Sequence, residues 1–63
     1  MRFVIEYGED KSFEGILVHQ DESFIFLKNK NSKVLKVWHK SLINKMFRVD
    51  SSKKLVPLKL RNP

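Results

Sequence analysis

Several residue types are scarce or absent in this chain of 63 residues, and each absence removes a class of protein. There is no cysteine, which excludes a disulfide framework and a cysteine-bound zinc site and favours a reducing setting. No apolar run approaches the roughly 20 residues needed to cross a bilayer. The first residues meet an acid at Glu6, too early for a signal peptide. We therefore expect one small cytoplasmic domain that does not use a membrane.

Acidic residues are also scarce in most of the chain, because nearly all of them lie within residues 1–22. Residues 1–22 hold six acids against Arg2 and Lys11, whereas residues 23–63 hold eleven basic residues against Asp50 alone. The net charge is +6, and the sequence pI is about 9.9. This balance favours an acidic partner, with nucleic acid ahead of an anionic membrane surface.

Alternating apolar residues and closely spaced turns predict an all-β protein. The predicted strands are Arg2–Tyr7, Ser12–Gln20, Ser23–Asn29, Lys33–His39, Leu42–Val49 and Leu55–Leu60. Gly15 marks a bulge or a close approach within the second strand, and Pro57 suits an edge strand. The expected fold is a small, strongly bent, five-stranded antiparallel barrel over residues 1–52, followed by a basic C-terminal edge strand or tail over residues 53–63.

The segment from Leu35 to Val49 also allows a second interpretation. Its apolar residues recur at spacings of three and four, which would suit a helix that begins at Ser41 and runs to about Arg48. The strand is the favoured interpretation, because β-branched alternation and two turn signals precede this segment.

No catalytic or metal-binding constellation can be assembled from the sequence. His19 and His39 are the only histidines, and neither has a spaced set of further ligands. Asp21 and Glu22 are neighbours that point to different sides of the backbone, which makes a poor general acid–base pair. We expect a protein that is not an enzyme and uses no cofactor or metal.

Lysines recur across the third and fourth strands beside aromatic side chains. Cations that neutralise phosphates and flat rings that stack on bases are the two ingredients of single-strand binding. Base stacking and a place in the core are equally good interpretations of Trp38, whereas Phe24, Phe26 and Phe47 are expected in the core. The candidate nucleic-acid-binding residues are Lys28, Lys30, Lys36, Trp38, His39 and Lys40.

The stretch Phe13–Asn29 carries a family resemblance. Its matching positions are Phe13, Gly15, Leu17, Asp21 and the strand end Leu27-Lys28-Asn29. In that order and spacing they resemble the first signature of the Sm-like proteins, most closely the bacterial Hfq type of RNA chaperone. Val37–Ile43 is similar in kind to the second signature, although its aromatic residue, lysine and histidine come in a different order.

The resemblance implies a five-stranded barrel that closes into a ring and binds single-stranded RNA around its pore. Ser23 stands where the Hfq type has a base-stacking aromatic residue, and Ile25 stands where Sm proteins have an RNA-contacting asparagine. The resemblance therefore implies the barrel more strongly than it implies the RNA site.

Two functions follow as hypotheses. The first is a homo-oligomeric Sm-like or SH3-like barrel that binds nucleic acid, with RNA favoured over DNA. The second is a protein-interaction or regulatory module of the same barrel type, such as an adaptor or a phage or mobile-element protein, which would use an exposed edge near Leu55–Leu60. Self-association is expected on size alone, because so short a chain buries only about 60% of its unfolded surface.

Overall fold

Antiparallel strands make up nearly all of the computed structural model, which describes residues 1–29, 31 and 33–59. The elements are β1 (Arg2–Tyr7), β2 (Lys11–Gln20), β3 (Phe24–Lys28), β4 (Leu35–His39), the 3-10 turn η1 (Lys40–Leu42), β5 (Ile43–Val49) and β6 (Leu55–Leu58). They form one six-stranded sheet in the order β4-β3-β2-β1-β5-β6. The all-β prediction is confirmed. The predicted five-stranded barrel is not, because a sixth strand joins the sheet and no ladder connects its two edges within the described residues.

Strand β2 is shared by two halves of the sheet. Its first part, Lys11–Ile16, pairs with β1, and its second part, from Ile16 to Gln20, pairs with β3. The register shifts between Leu17 and His19, which places a bulge in the second part. A long strand that changes partners along its length bends the sheet, so its two halves enclose a common core.

Gly15 lies where β2 bends toward β3. A Cβ atom at this position would lie 2.7 Å from the carbonyl oxygen of Lys28 and 2.9 Å from Cε2 of Phe13. The predicted close approach at Gly15 is confirmed, whereas the bulge falls two to four residues later. Only glycine lets the β3 backbone approach so closely.

We expect Gly15→Ala to lower the free energy of unfolding by about 1–3 kcal/mol, the usual cost of overpacking a tight site. Gly8→Ala is the matched control, because the nearest atom to its added Cβ is Cδ of Lys11 at 3.7 Å. Its φ of +58° adds a smaller conformational cost of about 1 kcal/mol. Urea denaturation measures both variants. A Gly15→Ala variant as stable as the wild type would show that the β2–β3 approach is not tight.

The connection between β4 and β5 shows how strongly the sheet curls. These strands are four positions apart in the sheet order, which corresponds to about 19 Å in a flat sheet with a strand spacing of about 4.8 Å. Only the three residues of η1 join them, and three residues of 3-10 turn rise only about 6 Å. The end of β4 must therefore lie near the start of β5.

The segment after η1 is β5, so the alternative helix from Ser41 to Arg48 is wrong. β-branched and aromatic residues on both faces of this segment favour pairing with β1 and β6 over a single amphipathic face. Across residues 1–29, 31 and 33–59, no helix is long and apolar enough to cross a membrane.

The core lies inside the curl and draws on strands from both halves of the sheet. It consists of Phe3, Ile5, Ile25, Leu27, Trp38, Ile43 and Met46. The Trp38 ring on β4 packs against Tyr7 on β1 and Phe13 on β2, with ring centroids 5.5 and 5.1 Å apart. Neither β1 nor β2 is a sheet neighbour of β4, so these contacts exist only because the sheet curls.

Strand β6 occupies the edge beside β5, where Pro57 pairs with Phe47. This is the edge position that proline favours, because proline has no backbone N–H for a further strand. The Asp50 carboxylate fixes the preceding turn by accepting hydrogen bonds from the backbone N–H groups of Ser52 and Lys54, both at 2.9 Å. Leu60 and the rest of the predicted basic tail lie outside the described residues.

Candidate nucleic-acid interface

Trp38 lies in the core and has only 8% of its surface exposed. Its ring packs between aromatic side chains of β1 and β2, so no ring face is available to a base. The base-stacking interpretation of Trp38 is therefore wrong, and the core interpretation is correct. The physical reason is the pairing of Trp38 with Ile25, a residue that is itself 1% exposed, since residues paired across two strands share a face.

The other predicted site residues do not form one cluster. Lys36 lies on the same side of β4 as Trp38, and its Nζ lies 5.1 Å from the centroid of the Phe13 ring, a cation–π contact. Lys28 and His39 lie on the opposite side of the sheet, at the two ends of the β3–β4 ladder. Lys40 begins η1. Lys30 lies outside the described residues.

A different set of side chains forms a continuous surface, which we call the outer face. Its members face away from the core on three neighbouring strands, as the pairing of β2 with β3 and of β3 with β4 requires. They are Ile16 and His19 on β2, Phe24, Phe26 and Lys28 on β3, and Leu35, Val37 and His39 on β4. The core side chains Ile25 and Leu27 alternate with them on β3.

Two pairs of rings line the outer face. The Phe24 and His39 rings meet edge to face, with centroids 5.1 Å apart, and the His19 and Phe26 rings are tilted, with centroids 5.4 Å apart. Phe24 is 41% exposed and Phe26 is half-buried. The expectation that Phe24 and Phe26 belong to the core is therefore wrong, and Phe47 is likewise half-buried outside the core cluster.

A lysine residue lies at each end of this row of rings. Lys28 pairs with Leu35 at one end, about 13 Å from Phe24 at the strand rise of about 3.3 Å per residue. At the other end the backbone N–H of Lys40 donates to the carbonyl oxygen of Ser23 at 2.8 Å, which holds the start of η1 against the start of β3. An extended anionic strand laid over the rings would run between Lys28 and the start of η1, where Lys40 lies.

The turn between β2 and β3 sets the position of Phe24. Oδ1 of Asp21 accepts hydrogen bonds from the backbone N–H groups of Phe24 at 2.7 Å and Ser23 at 2.8 Å. These bonds hold the pKa of the Asp21 carboxyl below its ordinary value of 3.8, with a smaller contribution from the nearby charge of His19. Asp21 thus has a structural role, which is to begin β3.

His39 is fixed in a comparable way at the start of η1. Its Nδ1 accepts a hydrogen bond from the backbone N–H of Ser41 at 3.2 Å and lies 2.7 Å from the hydroxyl oxygen of Ser41. Because Nδ1 acts as an acceptor, Nε2 carries the hydrogen of the neutral ring. The imidazole beside Phe24 is therefore held in one orientation before any ligand arrives.

Two carboxylates that accept hydrogen bonds in turns, those of Asp21 and Asp50, are expected to make the protein less stable in acid. The Asp50 pKa is lowered like that of Asp21, mainly by the backbone N–H of Lys54 and the hydroxyl of Ser52. Because both pKa values are lower in the folded state, the stabilisation is complete above the ordinary value of 3.8 and is lost as the pH falls through the lowered values. We expect the urea midpoint of the wild type to fall below about pH 4 and the fall to be shallower in a D21N/D50N variant.

Asparagine keeps the acceptor oxygen and removes the titration, so the folded structure is retained in that variant. Glu22→Gln is the control, because Glu22 is an exposed acid in the same turn as Asp21 and makes no hydrogen bond or ion pair within the described part of the chain. An equally steep acid fall in the wild type and in D21N/D50N would contradict the assignment.

A signal for the outer face was present in the sequence. Lys28 has the same parity as Phe24 and Phe26 along the third strand, and a lysine in a half-buried strand belongs on the solvent side. The aromatic residues of that parity therefore face outward, and Ile25 and Leu27 face inward. Aromatic content alone, which favoured the core, gives the opposite answer.

His19 on the outer face has one carboxylate beside it. Nε2 of His19 lies 4.0 Å from Oδ2 of Asp21, an ion pair when the imidazole is protonated. No group of three or more histidines, cysteines or acids that could hold a metal ion exists in the part of the chain that the structure describes. The surface offers rings and ammonium groups, which suit stacking and phosphate contact.

Comparison with protein-family models, with curated proteins and with solved structures finds no match for this chain. The resemblance of Phe13–Asn29 to the Sm-like signature therefore stays a prediction that rests on its own residues.

Proposed function

We propose that this protein binds single-stranded nucleic acid on the outer face of β2, β3 and β4. The observation that carries the proposal is the row of outward-facing rings, the Phe24–His39 and His19–Phe26 pairs, with Lys28 at one end and the start of η1 at Lys40 at the other. Rings that stack on bases and cations that neutralise phosphates bind single strands with little sequence preference. RNA is expected ahead of DNA, on the resemblance to Sm-like proteins.

The dimensions of the outer face suit a short stretch of strand. The row from Phe24 to Lys28 is about 13 Å long, enough for about four bases at a stacking rise of about 3.4 Å. The charge distribution adds to the attraction, because eleven basic residues and one acid lie in residues 23–63.

The test is fluorescence anisotropy of a labelled 10-nucleotide single strand over a range of salt concentrations. Contact of two to four phosphates with lysines gives a slope of log affinity against log salt of about −1.4 to −2.8, or roughly 7–50-fold weaker binding at 200 mM than at 50 mM salt. A blunt duplex of the same length is the comparison ligand and should bind more weakly, because its bases are already stacked. No binding of the single strand at 50 mM salt would refute the proposal.

A second candidate function is favoured by the aliphatic part of the same surface. Leu35 and Val37 are each about half exposed, and Val18 in the β2 bulge is 55% exposed. Exposed apolar patches of this kind mark surfaces that dock on proteins. A protein-interaction module would bind its partner in a salt-insensitive manner and would ignore nucleic acid, so the same salt titration separates the two functions.

Self-association is part of the proposal. Strand β4 ends the sheet opposite β6, and in the described residues no further strand pairs with its outer edge. Such an edge offers backbone donors and acceptors to a strand of another copy. Light scattering after size-exclusion chromatography measures the outcome: we expect a homo-oligomer at tens of micromolar, and a monomer at that concentration would remove this part of the proposal.

A further inference from the structure

A cavity of about 330 Å³ opens at one end of the curled sheet, and its floor is part of the core. The cavity lies between the end of β2, the start of η1 and the end of β6. Phe3, Ile25, Ile43 and Met46, all buried residues, form its floor, and Leu58 forms a wall. Its volume lies at the lower end of the range for small-molecule sites, about 300–1,000 Å³.

The mouth of the cavity is polar and positive. Gln20, Lys40 and Lys59 complete its lining, which contains no carboxylate. The Gln20 amide can both donate and accept, and its side chain makes no hydrogen bond to any described residue. The acid nearest to Gln20 in the sequence is Asp21. Its Oδ1 accepts hydrogen bonds from backbone N–H groups of its own turn, and its interaction with Lys40 is a charge–charge attraction without a hydrogen bond. An apolar floor beneath two ammonium groups and an amide is complementary to a flat apolar group that carries an anion.

The cavity adjoins the outer face. Gln20 pairs with Ile25, whose side chain reaches the cavity floor, while the preceding Phe24 lies on the outer face. Lys40 directly follows His39, the ring partner of Phe24. A nucleic-acid strand that stacks on Phe24 and His39 can therefore continue over the end of β3. It then reaches the mouth of the cavity between Lys40 and Gln20.

We propose that the cavity takes one base of the bound strand, with the adjoining phosphate held by Lys40 and Lys59 and the base edge facing Gln20. This inference rests on the proposed function, because the ligand is part of the same strand. It adds an enclosed site with hydrogen-bonding groups to an outer face that offers only stacking and charge, and it predicts that one nucleotide binds more specifically than its neighbours.

Methyl NMR of the full chain tests the cavity directly, because the chain has only two methionines. Met46 lies in the cavity floor, and Met1 is 76% exposed and serves as the internal control. We expect adenosine monophosphate and uridine monophosphate to shift the Met46 methyl signal in a saturable manner and to leave Met1 unchanged. Octanoate, which carries an anion and an apolar chain without a base, should shift Met46 more weakly.

A charge-matched pair of variants tests the lysines. K40Q/K59Q removes both ammonium groups from the mouth, and we expect at least about tenfold weaker nucleotide binding, a loss that one hydrogen bond to a charged group already accounts for. K11Q/K54Q removes the same charge from two exposed lysines outside the cavity and should leave the affinity within about twofold. Equal weakening in both variants would overturn the assignment of Lys40 and Lys59.

The same spectra separate failure of this inference from failure of the proposed function. If a 10-nucleotide strand shifts signals of the outer face and leaves Met46 unchanged, the cavity inference is wrong and the proposed function stands. If the nucleotides shift Met46 but no strand binds, the proposed function is wrong and the cavity is a nucleotide site. If octanoate shifts Met46 and the nucleotides do not, the cavity takes an acyl chain and the inference is overturned.

Discussion

Replacing Trp38 with alanine is expected to unfold most of the protein at 25 °C. The ring is a core member that joins β4 to β1 and β2 across the curl, through its contacts with Phe13 and Tyr7. Truncation of a buried tryptophan costs about 3–5 kcal/mol. A single core in a chain this short rarely supplies more than about 3–5 kcal/mol of stability, so the loss takes most or all of it.

Circular dichroism and urea denaturation measure this loss, and Trp38→Phe is the control that keeps an aromatic ring in the core. We expect Trp38→Phe to stay folded and to bind nucleic acid with wild-type affinity, because the ring does not belong to the outer face. In the wild type, Trp38 emission should be blue-shifted and poorly quenched by acrylamide. A stable Trp38→Ala variant, or loss of binding in folded Trp38→Phe, would contradict the buried position.

Replacing both Phe24 and Phe26 with alanine is expected to abolish most of the nucleic-acid binding. Stacking of one base on an aromatic ring is worth about 1–3 kcal/mol, so two rings together account for a loss of at least roughly thirtyfold. Stability should change much less than in Trp38→Ala, because Phe24 is exposed and Phe26 is only half-buried. Anisotropy gives the affinity, and urea denaturation shows that the variant is folded.

Leu55→Ala is the matched control for the phenylalanine variant. Leu55 is another large exposed apolar residue, but it lies on β6, at the far side of the sheet from β3. Its removal should leave the affinity unchanged. Wild-type affinity in the folded F24A/F26A variant would place the binding site elsewhere, and an equal loss in Leu55→Ala would show a nonspecific effect of apolar surface.

Most of the secondary structure could be predicted from local patterns. The bounds of β1 were correct, β2 differs from the prediction by one residue at its start, and β3 differs by one residue at each end. Gly15 correctly marked a close approach. These successes share a cause, because alternation and turn residues act over a few positions. The curl of the sheet depends on contacts between distant segments, such as the packing of Trp38 on Tyr7, which no local pattern encodes.

The candidate site was harder to predict for a related reason. Trp38 and His39 are neighbours in sequence, yet one lies in the core and the other on the outer face, because successive residues of a strand point to opposite sides. A prediction that groups residues by sequence proximity therefore mixes the two faces. Lys28 and His39 were identified correctly as surface residues of β3 and β4, whereas Phe24 and Phe26 were assigned to the core on size alone.

The positions shared with the Sm-like signature have physical uses within this fold. Gly15 permits the approach of β3, and Asp21 begins β3 through its two backbone hydrogen bonds. Leu27 fills the core at 0% exposure. These residues specify a bent sheet, and Lys28 is the member of the stretch that also reaches the proposed interface. These positions therefore have an account within this fold, and the relationship to the Sm-like proteins stays a prediction.

The position of the bound strand on the outer face can be mapped by ¹⁵N amide shifts with a 10-nucleotide single strand. We expect saturable shifts in β2, β3 and β4, centred on His19, Phe24, Phe26 and His39. Signals of Val49 and Leu55, at the far side of the sheet, should not move. Shifts centred on β5 and β6, or no shifts at 50 mM salt, would contradict it.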